Sequence, residues 1–261
     1  MFTAGPAFFA NQRTSLTLAL SGVGAAGAVG SVARGATDPF FANVVLLCDS
    51  TGYANGTTPS TIDVVGKSPT WGGDTKIDTS ASPFGGGASI YFDGTGDSLS
   101  FADSIDWAAG TGDYTWEFFV NHDAISGVQM YASQVPAPNA LYSVQIYRYL
   151  GNLTCFVSDG SGALGSTGGG VVSNSVWHHI AIVREATELR AYLDGTRAVL
   201  ASLPSGYPIQ DASGPMCFGM EYPNTGSFPL PAHMDQIRFT KGVARYTGPT
   251  ITVPTAPFPH S

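Results

Sequence analysis

Few side chains in this 261-residue sequence are placed to do chemistry. Four glutamates (Glu117, Glu185, Glu188 and Glu221) and five histidines are spread along the chain, with His178 and His179 adjacent. Neighbouring side chains on a strand point to opposite faces, so these two histidines cannot readily chelate one metal. No HxH or HxxxH spacing replaces them, and they read with His122 and His233 as structural or surface residues. No GxSxG elbow supports a Ser/His/Asp assignment, and no catalytic residue is expected. Cys48, Cys155 and Cys217 are odd in number, lack CxxC spacing and sit in apolar runs, which predicts buried free thiols and assembly in a reducing cytoplasm. Sugar binding needs exposed rings for stacking beside polar groups for hydroxyls. Loop-adjacent candidates are Tyr53, Trp71, Trp107, Tyr131, Tyr147, Tyr149, Tyr207 and Tyr222, and the sequence leaves open which of them are exposed.

The elements that would carry these groups are strands. In SVWHHIAIVREATELRAYLDG (175–195), apolar residues recur at Ile180 and Ile182, then at Leu189, Ala191 and Leu193, up to an Asp194-Gly195 turn. Nine further runs have the same character, among them Val44 to Cys48, Ala88 to Asp93, Tyr114 to Asn121, Tyr142 to Tyr147 and Met234 to Phe239. Eleven short runs punctuated by Gly, Pro, Asn and Asp predict two antiparallel sheets packed face to face. The 33 glycines, 17 prolines and 11% charged residues suit strands and turns rather than long helices. Ser50 to Gly87, Pro136 to Asn139, Asp159 to Asn174 and Tyr222 to Pro231 are expected to be irregular, functional or ordered by neighbours. Within them the Gly-rich Gly160 to Gly170 reads equally as a flexible connection or as a surface where another chain approaches closely.

The order of GGASIYFDGTGDSLSF (86–101), the 175–195 hairpin and HMDQIRFTKGVARYTG (233–248) resembles the laminin-G-like branch of the concanavalin A-like lectin/glucanase superfamily, over about Asp38 to Ser261. TDPFFANVVLL (37–47), TKGVARYTG (240–248) and PTAPFP (254–259) resemble the version carried by virion proteins of tailed bacteriophages and prophages. The resemblance implies an all-β jelly-roll sandwich. It also raises glycan hydrolysis, whose retaining form needs two carboxylates about 5 Å apart, carried in catalytic relatives by an ExDxxE strand. None of the four glutamates begins that motif, and Glu117 runs into Phe118, Phe119 and Val120, so its strand reads as structural and the protein as no enzyme. Lectin-like sandwiches of this type often hold calcium, which takes six to eight oxygens. By resemblance, Asp49, Asp93 and Asp235 are the positions to test, although Asp93-Gly94 is also a turn signal and LLCDSTG departs from the phage pattern at Asp49.

Residues 1–36 read as an N-terminal arm before a sandwich of residues 37–261. Its Leu16 to Ala33 stretch resembles a signal peptide but is too Gly-rich for a membrane span. A docking arm onto other virion proteins is the favoured reading, with an intramolecular element or a targeting signal as alternatives. A net charge of −8 with only 11 Lys and Arg argues against a nucleic-acid backbone as partner. The expectation is a homo-oligomeric structural protein of the virion, on tail, baseplate or capsid surface and assembled in the host cytoplasm, whose sandwich packs against protein and engages host-surface glycan. The alternatives are a secreted lectin and a glycan hydrolase.

Overall fold

A computed structural model describes residues 37–124, 126–136, 141–221 and 227–261. The proposed arm and Tyr222 lie outside these residues. The described strands are β1 (Val44–Cys48), β2 (Pro69–Gly72), β3 (Lys76–Asp78), β4 (Ser89–Asp93), β5 (Ser98–Phe101), β6 (Tyr114–His122), β7 (Val128–Gln134), β8 (Val144–Tyr149), β9 (Asn152–Ser158), β10 (Ala163–Val171), β11 (Trp177–Glu185), β12 (Glu188–Leu193), β13 (Thr196–Ser202), β14 (Met216–Phe218) and β15 (Pro231–Lys241). All pair antiparallel in two sheets, as the alternation predicts.

The first sheet runs β13-β12-β11-β6-β15-β4-β3. Strand β15 is its centre: β6 flanks one edge throughout, while on the other edge β4 pairs with Pro231–Met234 and β1 with Ile237–Thr240. Between those partners the register slips at Gln236, whose φ of 53° marks a bulge. The second sheet runs β10-β9-β8-β7-β14-β5-β2. Between the sheets lie Trp116, Phe118, Ile180, Ile182 and Phe239 from the first, and Ile146, Leu153, Val157 and Phe218 from the second. Trp116 stacks on Phe239 with ring centroids 4.0 Å apart and planes 3° from parallel.

The two sheets differ on their outer sides. The first is covered: Ala244, Tyr246 and Ile251 pack on Ala181, Val183 and Tyr192, and Phe84, Val253 and Phe258 pack around Phe119 and Leu47. Burial on both faces explains why β6 and β11 read as nearly unbroken apolar runs. On the outer side of the second sheet, β8 exposes Tyr149 and half-exposes Tyr147.

Four strands escaped the sequence expectation. β2 and β3 are too short for periodicity to register, and β13 is an edge strand whose only buried residue is Leu200. Most of the Gly-rich Gly160 to Gly170 segment is β10, which pairs with β9 and contacts β12 and β13 of the first sheet. A Cβ on Gly165 would stand 2.0 Å from the Cys155 carbonyl oxygen, and one on Gly169 2.9 Å from the Ala191 methyl. Closure of the sandwich at this edge therefore requires bare backbone.

Candidate functional site

Glu117, in the middle of β6, is fully buried on the covered side of the first sheet. Register sets Arg238 opposite it, and Arg238 Nη2 donates to Glu117 Oε1 at 2.8 Å. Tyr246 Oη donates to Oε2 at 2.7 Å, and His179 Nε2 lies 3.4 Å from the same oxygen. Burial alone would raise this carboxyl, but Arg238 foremost, with His179 and Arg245, holds it far below the usual range. The group is locked by cations and shut from solvent, as its apolar sequence context implies. A cleft of about 320 Å³ lies above, between 37–39 and 254–259, with Arg238 and Arg245 in its wall, and both guanidiniums are bound to Asp38.

A second recess, of about 210 Å³, opens on the outer side of the second sheet. Period-two alternation on β8 sends Val144 and Ile146 to the core, leaving Gln145, Tyr147 and Tyr149 on the other face. Val128 and Met130 of β7 line it from beside. Phe228 closes it from the connection after β14, in a left-handed conformation of φ 56°, its carbonyl accepting the Met130 N–H at 2.9 Å. Tyr149 is 41% and Phe228 40% exposed, whereas Tyr147 is half-buried and stacks on Phe156 with planes 15° from parallel. Gln145 Nε2 donates to Glu221 Oε1. Aromatic walls beside a coupled amide and carboxylate suit a ring with one apolar face and an edge of hydroxyls. The volume is below the ~300–1,000 Å³ of pockets that enclose a drug-sized ligand, as befits a shallow seat for a single ring.

Of the eight aromatic candidates, the structure brings Tyr147 and Tyr149 to this recess. Trp107, Tyr131 and Tyr207 are buried, and Tyr53 and Trp71 pack against the core. Phe228 and the Gln145–Glu221 pair were missed, because only the tertiary fold carries the connection after β14 across β7 and β8.

The three aspartates singled out for calcium fall in two places. Asp235 Oδ1 accepts the Ser50 N–H at 3.1 Å and the Ser50 hydroxyl at 2.6 Å. Asp49 holds the Thr51 N–H at 2.8 Å, and its other oxygen lies 2.8 Å from His260 Nε2. Burial, with the Asp49 charge beside it, pushes Asp235 up to about 7. Oxygens occupied by N–H and O–H donors, one of them on a half-protonated carboxyl, fit a calcium ion poorly. Asp93 stands apart, its backbone paired with Pro231, four residues or roughly 13 Å along β15 from Asp235. It converges with Asp74 and Asp97, with oxygens all within 4.8 Å of one another. Asp97 organises the two loops by accepting the Asp74 N–H at 2.8 Å and the Asp93 N–H at 2.7 Å. Burial, aggravated by the neighbouring Asp93 charge, pushes Asp97 up. Both Asp97 oxygens accept N–H donors, as at Asp235, so what favours a hydrated hard cation here is the convergence of three carboxylates with Asp74 and Asp93 open to water.

One hydrogen-bond chain was not anticipated. Ser173 Oγ lies 2.9 Å from His178 Nε2, and His178 Nδ1 lies 2.6 Å from Asp194 Oδ2. The Ser173 backbone N–H also donates to Nε2, at 3.2 Å, so the lone pair a general base would use is already engaged. Asp194 in turn accepts the His179 N–H at 2.9 Å and sits, with φ 48°, in a two-residue turn with Gly195 at φ 83°. That is a type I′ hairpin, as the Asp-Gly pair predicts, and the chain of bonds braces it.

The profile of Laminin_G_3, Concanavalin A-like lectin/glucanases superfamily, matches residues 93–244. No curated protein is similar in sequence. Among solved structures, the binding domain of Paraclostridial Mosquitocidal Protein 1 superposes with a TM-score of 0.59 at 15% identity, over 78% of this chain and 50% of that one. Domain 4 of AbnA, a GH43 extracellular arabinanase from Geobacillus stearothermophilus in complex with arabinotriose, gives 0.55 at 14% identity, over 77% and 95%. A botulinum neurotoxin type C structure, whose cell entry is described as dependent on two ganglioside molecules, gives 0.56 at 10% identity, over 78% and 49%. The chain thus spans about half the length of the toxin structures, and at these identities the likeness is one of fold.

Proposed function

Because the chain belongs to the concanavalin A-like lectin/glucanases superfamily, we propose that it is a lectin-like binding protein, not an enzyme, that seats a glycan in the groove of Tyr147, Tyr149 and Phe228. The observation that carries this reading is the pair of half-exposed rings, Tyr149 and Phe228, flanking a buried amide held by a carboxylate on the uncovered side of the second sheet. Similar folds named as a toxin binding domain and as an arabinotriose-bound domain support it. Against hydrolysis stands Glu117, whose oxygens are taken by Arg238, Tyr246 and His179. The test is glycan-array screening followed by calorimetry on Tyr149→Ala and Tyr147→Ala. Each should weaken binding about tenfold or more, the worth of one stacked ring, with unchanged thermal stability for the more exposed Tyr149. Full affinity in both variants rejects the groove.

The setting we propose is the surface of a tailed-phage virion, with residues 1–36 docking on other virion proteins, several copies per particle, and the sandwich turned to host-surface glycan. Support comes from the likeness of 37–47, 240–248 and 254–259 to phage virion proteins. Peptide mass spectrometry of gradient-purified particles checks it. Recovery of the protein only as a free species outside particles would favour a secreted lectin.

Calcium enters this reading as a structural ion at Asp74, Asp93 and Asp97, where it would tie the two loops that flank β4 and relieve the crowding of charge.

A further inference from the structure

We propose that Asp235 is a protonated latch: it donates from Oδ1 to Ser50 Oγ, Ser50 donates on to the Ala88 carbonyl, and ionisation of Asp235 releases the Ala88 end of the 50–87 connection. Ser50 Oγ lies 2.6 Å from Asp235 Oδ1 and 2.8 Å from the Ala88 carbonyl oxygen. A hydroxyl carries one hydrogen and a carbonyl none, so both contacts are hydrogen bonds at once only when Asp235 brings the second hydrogen. Its Oδ1 still has a lone pair for the Ser50 N–H at 3.1 Å. Asp235, Ser50 and Ala88 are all buried, so a hydrogen bond lost among them is not replaced by bulk water.

Ser50 follows β1 and Ala88 precedes β4, so one hydroxyl ties both ends of the connection to the central strand β15. When Asp235 ionises, its proton leaves to solvent, the Ser50 hydrogen turns to the carboxylate, and the buried Ala88 carbonyl loses this donor. The connection lays Val64 and Phe84 over Leu47 and Phe119, with Phe84 edge-on to Phe119 at 5.0 Å. Its Ala88 end, which carries Phe84, is the part set free. Ionisable neighbours stand on each side. Asp49 follows β1 with its oxygens engaged by Thr51 and His260, while Cys48 ends β1 and Asp63 bridges to it. On β15, His233 turns to Ser89 and Asp123 and Arg238 to Asp38 and Glu117, and β6 presents Phe119. Burial and the Asp49 charge push Asp235 up to about 7. The folded value lies above the unfolded one, so the latch is complete at lower pH and is lost as pH rises through about 7.

The test uses the full chain. Carbon-13 NMR of the aspartate carboxyls should show Asp235 neutral at about pH 6 and titrating between there and about pH 8. Hydrogen exchange of the peptide 79–89 is then read as the ratio of wild type to Asp235→Asn at the same pH, with the 152–158 peptide of β9 as the control for global opening. Asparagine does not titrate, so the ratio isolates what ionisation does. It should rise about tenfold or more from about pH 6 to about pH 8, with the β9 ratio unchanged. In Ser50→Ala, which has no hydroxyl to turn, exchange of 79–89 should change with pH only as β9 does. An Asp235 carboxyl already ionised at about pH 6 overturns the latch, and so does wild-type exchange of 79–89 that changes with pH only as β9 does. Both of these readings come from wild type and stand whether or not a variant folds.

Discussion

Asp38 and Arg245, 207 positions apart, meet through two parallel hydrogen bonds, Nη1 to Oδ1 at 2.9 Å and Nη2 to Oδ2 at 2.7 Å. Arg238 adds a third at 3.0 Å and lays its guanidinium 3.8 Å from the centre of the Phe258 ring. These four residues come from TDPFF, GVARYTG, PTAPFP and the central strand, so segments far apart in the sequence form one clasp over the covered sheet. The Asp38 N–H closes it by donating to the Ser261 carbonyl at 2.7 Å. The physical work of those motifs is to fasten the two ends of the sandwich together.

Breaking that fork from one side should be costly. Arg245→Met leaves Asp38, whose side chain is 2% exposed, with one cation fewer inside a buried network. Removing one partner of a buried pair typically costs about 3–5 kcal/mol, or roughly 6–20 °C in Tm at this size. Calorimetry on Arg245→Met and on the double variant Asp38→Asn/Arg245→Met checks it. The double variant should recover part of the loss, because neither charge is then stranded; a single variant as stable as wild type would show that the clasp contributes nothing.

The acid limb of stability should belong to this network. Glu117 is held well below its unfolded value of about 4.3, and Asp38, where its arginines outweigh burial, is also lowered. Their contribution is complete above the unfolded values and is lost as pH falls toward the folded ones, because the unfolded chain then binds the extra protons. Asp235 acts with the opposite sign. Folded near 7 and about 3.9 when unfolded, it favours the native state below ~3.9, and that contribution fades as pH rises through about 7. Urea titrations from pH 3 to 8 should show Asp235→Asn flattening the limb between about pH 4 and 7, by at most about 1.4 kcal/mol per pH unit. A limb unchanged in that variant would assign it to another group.

How far the sequence carried can be judged from particular residues. Eleven strands were legible because burial on one face imposes a period of two on their side chains and burial on both, as in β6 and β11, leaves a short unbroken apolar run. Such patterns failed at β10, where the requirement is on the backbone: Gly165, at φ 154°, has room for no Cβ, and an absent side chain leaves no pattern to read. In the groove, Tyr147 and Tyr149 sit two apart and declared a shared face. Phe228 joins them through one backbone hydrogen bond to Met130, and nothing local in the sequence records that contact. The calcium positions Asp49, Asp93 and Asp235 follow from the resemblance alone, and the fold instead gathers Asp93 with Asp74 and Asp97 from neighbouring loops.

The Ser173–His178–Asp194 chain should prove to be a brace. Asp194→Ala removes the acceptor of the His178 ring and of the His179 N–H from a turn whose side chain is 48% exposed, which should cost about 1 kcal/mol after solvent screening. Ser173→Ala should be nearly neutral, since the Ser173 N–H still satisfies Nε2. A fluorophosphonate probe distinguishes the two roles: wild type should remain unlabelled, and stoichiometric labelling lost in Ser173→Ala would make the hydroxyl a nucleophile.

Calcium can be assigned by which carboxylate its effect depends on. An ion that binds only the folded chain raises stability as RT ln(1 + [L]/Kd), about 2.7 kcal/mol at a hundredfold excess over Kd, so Tm should climb with calcium and fall back with chelator. Asp97 holds both loops and its two oxygens face Asp74 and Asp93, so Asp97→Asn should abolish the response, with a small loss of stability from the altered N–H acceptors. Asp93→Asn, at an exposed position, should weaken the response and leave the calcium-free Tm unchanged. Asp235→Asn should leave the response intact, because that carboxyl faces Ser50 and is already half protonated at neutral pH. A calcium response that disappears in Asp235→Asn but survives Asp97→Asn would move the ion to the Asp49–Asp235 end of the sandwich, and the hydroxyl of Ser50 would then have to turn away to admit it.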